Sequence, residues 1–442
     1  MEHQTRIDNR KEKLKKLLNT INFYEKDIIE ALYKDFKKPP LEAFVTEIKI
    51  VTDDLKYTLK NLSKWAKPKR VLPYFLNFPS SDYLYSEPYG KVLIISPWNY
   101  PFQLALSPVI AAFAAGNQVT LKPSELTPNT SSILSKIIRE TFEVHEVVAV
   151  LGDATLATSL LEKKWDYIFF TGSVNVGKIV YQAAAKNLTP VTLELGGKNP
   201  CIVDQTGSIE LKARRIVWGK FLNAGQTCIA PDFILVKKSV KDEFVNHLKA
   251  EIEQAYTAKP EASPDYCRII NKNNLHRLVG LLKNQNVIFG GTSDEEQNYL
   301  APTLVDQPDL QSALMQEEIF GPILPIITYE HFNDLRSIIH PLPKPLALYI
   351  FTENKGFAEK CIQTFPYGGG CINDSIIHFA NHRLPFGGVG NSGIGAYRGK
   401  RSFDTFSHKK AIVDRKNWLD INFRYAPYGN KLAQLKKILR WF

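Results

Sequence analysis

The chain has 442 residues, of which 44% are hydrophobic and 23% charged, and 56 Lys+Arg against 45 Asp+Glu leave a formal charge of +11. That length suggests about three domains, or two large ones, and the ordinary composition excludes wholesale disorder, collagen and coiled coil. The positive balance fits nucleic acid, a membrane surface or an anionic cofactor, and counting does not choose among them.

In chain order, the first 70 residues are helical in pattern. Leu14, Leu17, Leu18 and Ile21 recur at helical spacing between lysines, and Ile28, Ile29 and Leu32 continue the series. Pro68 and Pro73 close this region. Residues 74–89 are aromatic and turn-rich and read as a hairpin or an excursion. From Lys91, short apolar runs at 92–96, 118–121, 147–151, 167–171 and 191–195 alternate with helical patterns at 102–115, 130–142, 155–161 and 176–186. This alternation predicts a doubly wound, Rossmann-type α/β sheet covered on both faces. Ligands bind such sheets beyond the carboxyl ends of the strands. A second α/β pattern begins near Pro200, with helices at 209–222 and 241–256 and strands at 233–236, 326–329 and 347–351.

Other patterns are missing. Cys201, Cys228, Cys267, Cys361 and Cys371 are widely spaced with no C-x-x-C, and no H-E-x-x-H occurs. No disulfide framework or metal site is expected, and a reducing, cytoplasmic setting fits. The charged N-terminus has no apolar signal-peptide core. The most apolar stretch, 104–116, is short of the roughly 20 residues a membrane span needs.

The residues with chemistry fall at strand ends. They are Pro97-Trp98-Asn99-Tyr100-Pro101, Lys122-Pro123-Ser124-Glu125, Gly172-Ser173-Val174-Asn175-Val176-Gly177 and Glu194-Leu195-Gly196-Gly197-Lys198. Gly225-Gln226-Thr227-Cys228 and Glu317-Glu318-Ile319-Phe320-Gly321-Pro322 follow. In this order, over nearly the whole chain, the six motifs resemble the aldehyde dehydrogenase family. With Leu384-Pro385-Phe386-Gly387-Gly388-Val389-Gly390-Asn391-Ser392-Gly393 they are most similar to its class 3 branch, which takes fatty and aromatic aldehydes. The resemblance implies an NAD(P)-binding domain at 1–76 and 90–196 and a catalytic domain at 197–397. A bridging element at 77–89 and 398–442 and a homodimer are also implied.

Oxidising an aldehyde to an acid needs a nucleophile that attacks readily and later leaves, which suits a thiolate. Cys228 is the candidate. The adduct's oxyanion needs neutral donors, and the resemblance gives these as the Asn99 side chain and the Cys228 backbone N–H. Hydrolysis of the thioester needs a base, and a carboxylate raised by a dry pocket suits that work. Glu194, between Leu193 and Leu195, matches the family's base. Glycines 172 and 177 lie where a helix start approaches a pyrophosphate. The resemblance adds Trp98, Lys122, Ser124, Glu125, Ser173, Leu195, Glu318 and Phe320 as cofactor contacts. NAD is expected, with NADP also used in this branch. Tyr57, Tyr100 and Thr227 are candidates for a largely apolar aldehyde pocket.

Gly388 to Gly393 is a literal G-x-G-x-x-G, but it lacks the strand and helix that the dinucleotide fingerprint requires. It reads as a loop closing over the catalytic site. The tail, 431–442, is basic and amphipathic, with Leu432, Leu435, Leu439 and Phe442 on one face. Docking on a partner subunit and peripheral membrane contact are both open. Three alternatives are weaker. An acylating or acyl-phosphate reductase would not need Glu194. A cysteine hydrolase would need a histidine paired with Cys228, and no histidine lies in any motif block around it. A nucleic-acid binder would cluster its lysines with aromatics.

Overall fold

A computed structural model of the chain describes residues 2–440. Its N-terminal helices, Glu2–Phe23, Glu25–Phe36 and Lys49–Trp65, bury Leu14, Leu17, Ile21, Ile28 and Leu32 completely. They pack on the wholly buried helix Gln103–Ala115 and on Pro128–Thr141, which starts with proline at its first position.

The doubly wound sheet has six strands. Its order is Gly393–Ile394, Val191–Glu194, Tyr167–Thr171, Lys91–Ile95, Gln118–Lys122, Val147–Ala149. The last five run parallel. Register decides what lies at their carboxyl ends. Ile95 sits beside both Lys122 and Phe170, and Thr171 sits beside Glu194. Four of the six motifs therefore start from one sheet edge.

The second sheet has seven strands in the order Val287–Phe289, Thr303–Asp306, Ile323–Tyr329, Phe233–Lys237, Pro200–Val203, Ala347–Phe351, Gly369–Ile372. Only the first pair is antiparallel. A third, three-stranded sheet lies apart from both. Ser80–Pro88 pairs with Lys69–Val71 on one side and along its whole length with Ser407–Arg415 on the other.

Residues 74–89 form an excursion, one of the two readings of their sequence: the strand folds back only on the short Lys69–Val71 and takes its main partner from the distant C-terminal segment. One detail differs from the pattern in the sequence. Gly393–Ile394, expected within the catalytic segment, pairs antiparallel with Glu194 and Leu193 in the cofactor-type sheet. The G-x-G-x-x-G loop is thus fastened behind Glu194, where Leu195 N–H donates to Ser392 O at 3.2 Å. Of the tail's apolar face, Leu432 and Leu435 are exposed; the Leu439 side chain and Phe442 lie outside the described residues. Among the described residues no helix is long and apolar enough to cross a membrane.

Candidate active site

Two cavities meet at the edge where the six-stranded sheet faces the second one. The first, of about 260 Å³, is walled by Trp98, Asn99, Gly172, Ser173, Gly196, Glu318 and Phe320. The second, of about 310 Å³, is largely apolar, with Val45, Ile50, Leu222, Ile376, Phe379 and Phe386 in its wall. Glu194, Leu195 and Cys228 line both. A thiol and a carboxyl therefore stand where the two cavities join.

Cys228 follows a loop with three consecutive residues in the left-handed region: Asn223 (φ 56°), Ala224 (φ 49°) and Gly225 (φ 73°). A Cβ at Gly225 would also strike the Gly321 carbonyl, so both backbone and space demand glycine there. Buried amides pin the loop. Gln226 Nε2 donates to Asn223 O at 3.1 Å and Arg268 O at 3.0 Å, and its Oε1 accepts from Ile270 N–H at 3.0 Å. Asn223 Nδ2 donates to Asn99 O at 3.0 Å and Gln226 O at 3.1 Å. The N–H groups of Cys228 and Ile229 favour a thiolate, but burial and the nearby Glu318 and Glu194 outweigh them and push the thiol up to about 12.

Asn99 reaches the same loop from the other side. Its Nδ2 donates one hydrogen to Gln226 O at 3.1 Å, leaving the second of the amide's two donors for the cavity. Tyr100 and Thr227 line the apolar cavity, their hydroxyls 2.6 Å apart. Tyr57 does not line it. Its ring stacks behind His382, centroids 5.0 Å apart, and His382 takes the place on the wall. His382 and Arg398 share the buried Asp54 carboxylate, at 2.9 and 3.0 Å, and this knot closes that side.

Glu194 is 3% exposed, and among the described residues neither carboxyl oxygen has a partner. Burial holds it well above the usual carboxylate range. Buried polar groups without partners are uncommon, and this one faces two cavities.

The cofactor-type cavity holds most of its expected lining. The Trp98 and Phe320 rings meet edge to face, centroids 5.4 Å apart. Burial raises the Glu318 carboxyl to about 8. A Cβ at Gly196 would collide with that carboxylate, so glycine lets the strand end approach it. Ser173 caps the helix Val174–Ala185 through Val176 N–H. Gly177 lies under Leu195 instead of on the wall. Lys122, Ser124 and Glu125 occupy the adjacent strand end but do not wall this cavity; Lys122 pairs with Glu125, and Ser124 Oγ accepts from Leu126 N–H at 3.2 Å.

Three further residues hold the loop that carries Glu318 and Phe320. Arg277 donates to Glu318 O at 3.3 Å and Ile319 O at 2.5 Å, Asp232 accepts from Ile319 N–H at 2.9 Å, and Lys198 donates to Glu317 O at 3.0 Å. Lys198 ends the Glu194–Lys198 motif, but Arg277 and Asp232 carry no sequence signal beyond isolated charges.

The fold and paired cavities define a two-lobed α/β enzyme in which a nucleotide-type site and an apolar site share one thiol. Residues 3–412 match the family model described as aldehyde dehydrogenase family, and the chain belongs to that family. It is 49% identical over 437 residues to a 4,4'-diaponeurosporen-aldehyde dehydrogenase of Staphylococcus aureus, covering 98% of this chain and 95% of the relative. It is 42% identical to "Aldehyde dehydrogenase, dimeric NADP-preferring" of Canis lupus familiaris, covering 96% and 94%. A solved structure described as a substrate-bound state of Staphylococcus aureus AldH superposes with a TM-score of 0.96 at 48% identity, covering 98% and 95%. The chain is therefore an NAD(P)-dependent oxidoreductase that oxidises aldehydes to carboxylic acids.

Proposed function

We propose that Cys228 is the nucleophile, that the Asn99 amide and the Cys228 N–H receive the oxyanion, and that Glu194 is the hydrolytic base. The observation that carries this is the junction: Cys228 and an unpartnered, buried Glu194 both face the two cavities. Bare walls at Gly172 and Gly196, the Glu318 carboxylate and the crossed rings of Trp98 and Phe320 fit a dinucleotide with ribose hydroxyls and a flat ring. NAD(P), when bound there, accepts the hydride that leaves the substrate carbon. Cys228, its thiol proton lost to solvent, bonds to the aldehyde carbon, and the carbonyl oxygen takes the negative charge against Asn99 Nδ2. Loss of hydride leaves a thioester on Cys228. Glu194, once ionised, takes a proton from water, whose oxygen attacks the thioester and expels the thiolate.

The apolar cavity supports medium- and long-chain aliphatic or aromatic aldehydes as preferred substrates. Burial of each added methylene gains about 0.8 kcal/mol. A series from propanal to decanal should therefore raise kcat/KM at each step until the cavity is full; a flat series would refute the preference. The long exposed strand Ser407–Arg415 supports a homodimer, in line with the word "dimeric" in the canine relative's name. A sedimentation run showing monomer at micromolar concentration would contradict it. Nine Lys/Arg against two Asp/Glu over residues 407–440, with Trp418, Tyr428 and Leu432 exposed, support contact with an anionic membrane. Flotation with anionic liposomes, lost on deleting residues 431–442, tests this; no binding by the full chain would sink it.

A further inference from the structure

The site is also held from behind. The segment at 40–48 ends in a π-helical turn, Phe44–Ile48, whose Val45 and Thr46 line the apolar cavity. Such turns are rare and concentrate at functional sites. Glu47 within it and Lys38 before it are both completely buried, with Nζ 2.7 Å from Oε1. The other carboxylate oxygen of Glu47 accepts two backbone donors, Phe102 N–H at 3.0 Å and Gln103 N–H at 2.9 Å. These amides open the helix Gln103–Ala115, which has no side-chain cap of its own. They also immediately follow Asn99-Tyr100-Pro101.

The contacts continue to the nucleophile. Lys38 Nζ lies 3.9 Å from the Tyr100 ring centroid, and Tyr100 holds Thr227, the residue before Cys228. From the same segment, Glu42 Oε2 accepts from Asn223 N–H at 3.0 Å. Asn223 is the residue that ties the cysteine loop to Asn99 O. One short segment thus sends a carboxylate to each half of the junction. A buried ion pair is by itself a weak source of stability, because desolvation offsets attraction. What distinguishes this pair is the second oxygen, which holds the turn.

We propose that Glu47 is a positioning residue for aldehyde oxidation. Its carboxylate, balanced by Lys38, fixes the start of helix Gln103–Ala115 and so aims the Asn99 amide at the oxygen of the aldehyde bound to Cys228. This rests on the oxyanion role of Asn99 given above.

The test compares two double variants of the full chain, Lys38→Met/Glu47→Gln and Lys38→Met/Glu47→Leu. Both remove the buried charges at similar volume. Only glutamine keeps an oxygen that can accept from Phe102 and Gln103. The readouts are the rate of the first, stoichiometric burst of NAD(P)H, the KM for aldehyde, and the Kd for NAD(P). The leucine variant should burst about tenfold or more slowly than the glutamine variant, with KM and Kd within about twofold between them. Equal burst rates would overturn the role of Glu47. A slow burst accompanied by lost NAD(P) binding would also overturn it, because a general collapse would then explain the loss. Asn99→Ala is the control. If its burst is slow while the two double variants agree, Asn99 keeps its role and Glu47 does not. If its burst is normal, the oxyanion reading itself fails.

Discussion

Glu194→Gln is nearly isosteric and, in the resting enzyme, exchanges one neutral group for another. Burial holds the Glu194 carboxyl well above the usual range, and among the described residues neither oxygen has a partner to lose. The fold should tolerate the change, but the reaction should not. An amide cannot take a proton from water, and a general base contributes about 10²–10⁴-fold. A rapid burst of NAD(P)H should persist, followed by a steady rate lower by about that factor. Stability should move in the opposite direction. Because its folded pKa is raised, the wild-type carboxyl leaves stability intact below the ordinary carboxylate pKa. Stability is then lost as pH rises toward the raised value. Glutamine carries no such cost. Each pH unit in that window should favour the variant by up to about 1.4 kcal/mol. Stopped-flow kinetics, intact-mass detection of the acyl-enzyme, and thermal unfolding from mildly acidic to mildly alkaline pH check the three parts. An undiminished steady rate would refute the assignment of the base, and parallel stability curves would refute its buried neutral state.

Asn99→Ala should slow the burst by about 10²–10³-fold, the usual loss for one oxyanion donor, with aldehyde KM nearly kept; rapid-mixing kinetics reads this directly. Gly196→Ala should weaken NAD(P) about tenfold or more, because its methyl group would enter the space of the Glu318 carboxylate. Fluorescence titration checks it, and unaltered affinity would contradict the tight approach. Without cofactor, alkylation of Cys228 by iodoacetamide should keep accelerating as pH rises through neutrality, since the thiol is raised to about 12. A plateau near neutral pH would contradict that state.

The parts of the site legible in the sequence are those that the sheet places by rule. Apolar runs of five residues mark the strands, and the motif after each run must fall at its carboxyl end. Glu194 and the Asn99 turn are therefore locatable in the sequence, and so is Cys228 through its Gly-Gln-Thr-Cys motif. What was illegible depends on side-chain direction or on long-range pairing. Tyr57 has the right chemistry for an aldehyde pocket, but its ring turns behind His382. Lys38 and Glu47 look like solvated charges on a helical face, and only the π-turn brings Glu47 under the helix start. Arg277 sits on a helix with no motif, although it holds the backbone of the Glu318 loop. Gly393–Ile394 reads as loop, because a two-residue strand has no periodicity to detect.

The most direct measurement is NAD(P)H formation from a medium-chain aldehyde by the wild-type chain and by Cys228→Ala, with NAD(P) affinity measured for both. Steady turnover is expected from the wild type and none above background from the variant, at equal cofactor affinity. Turnover by Cys228→Ala would contradict covalent catalysis through this thiol.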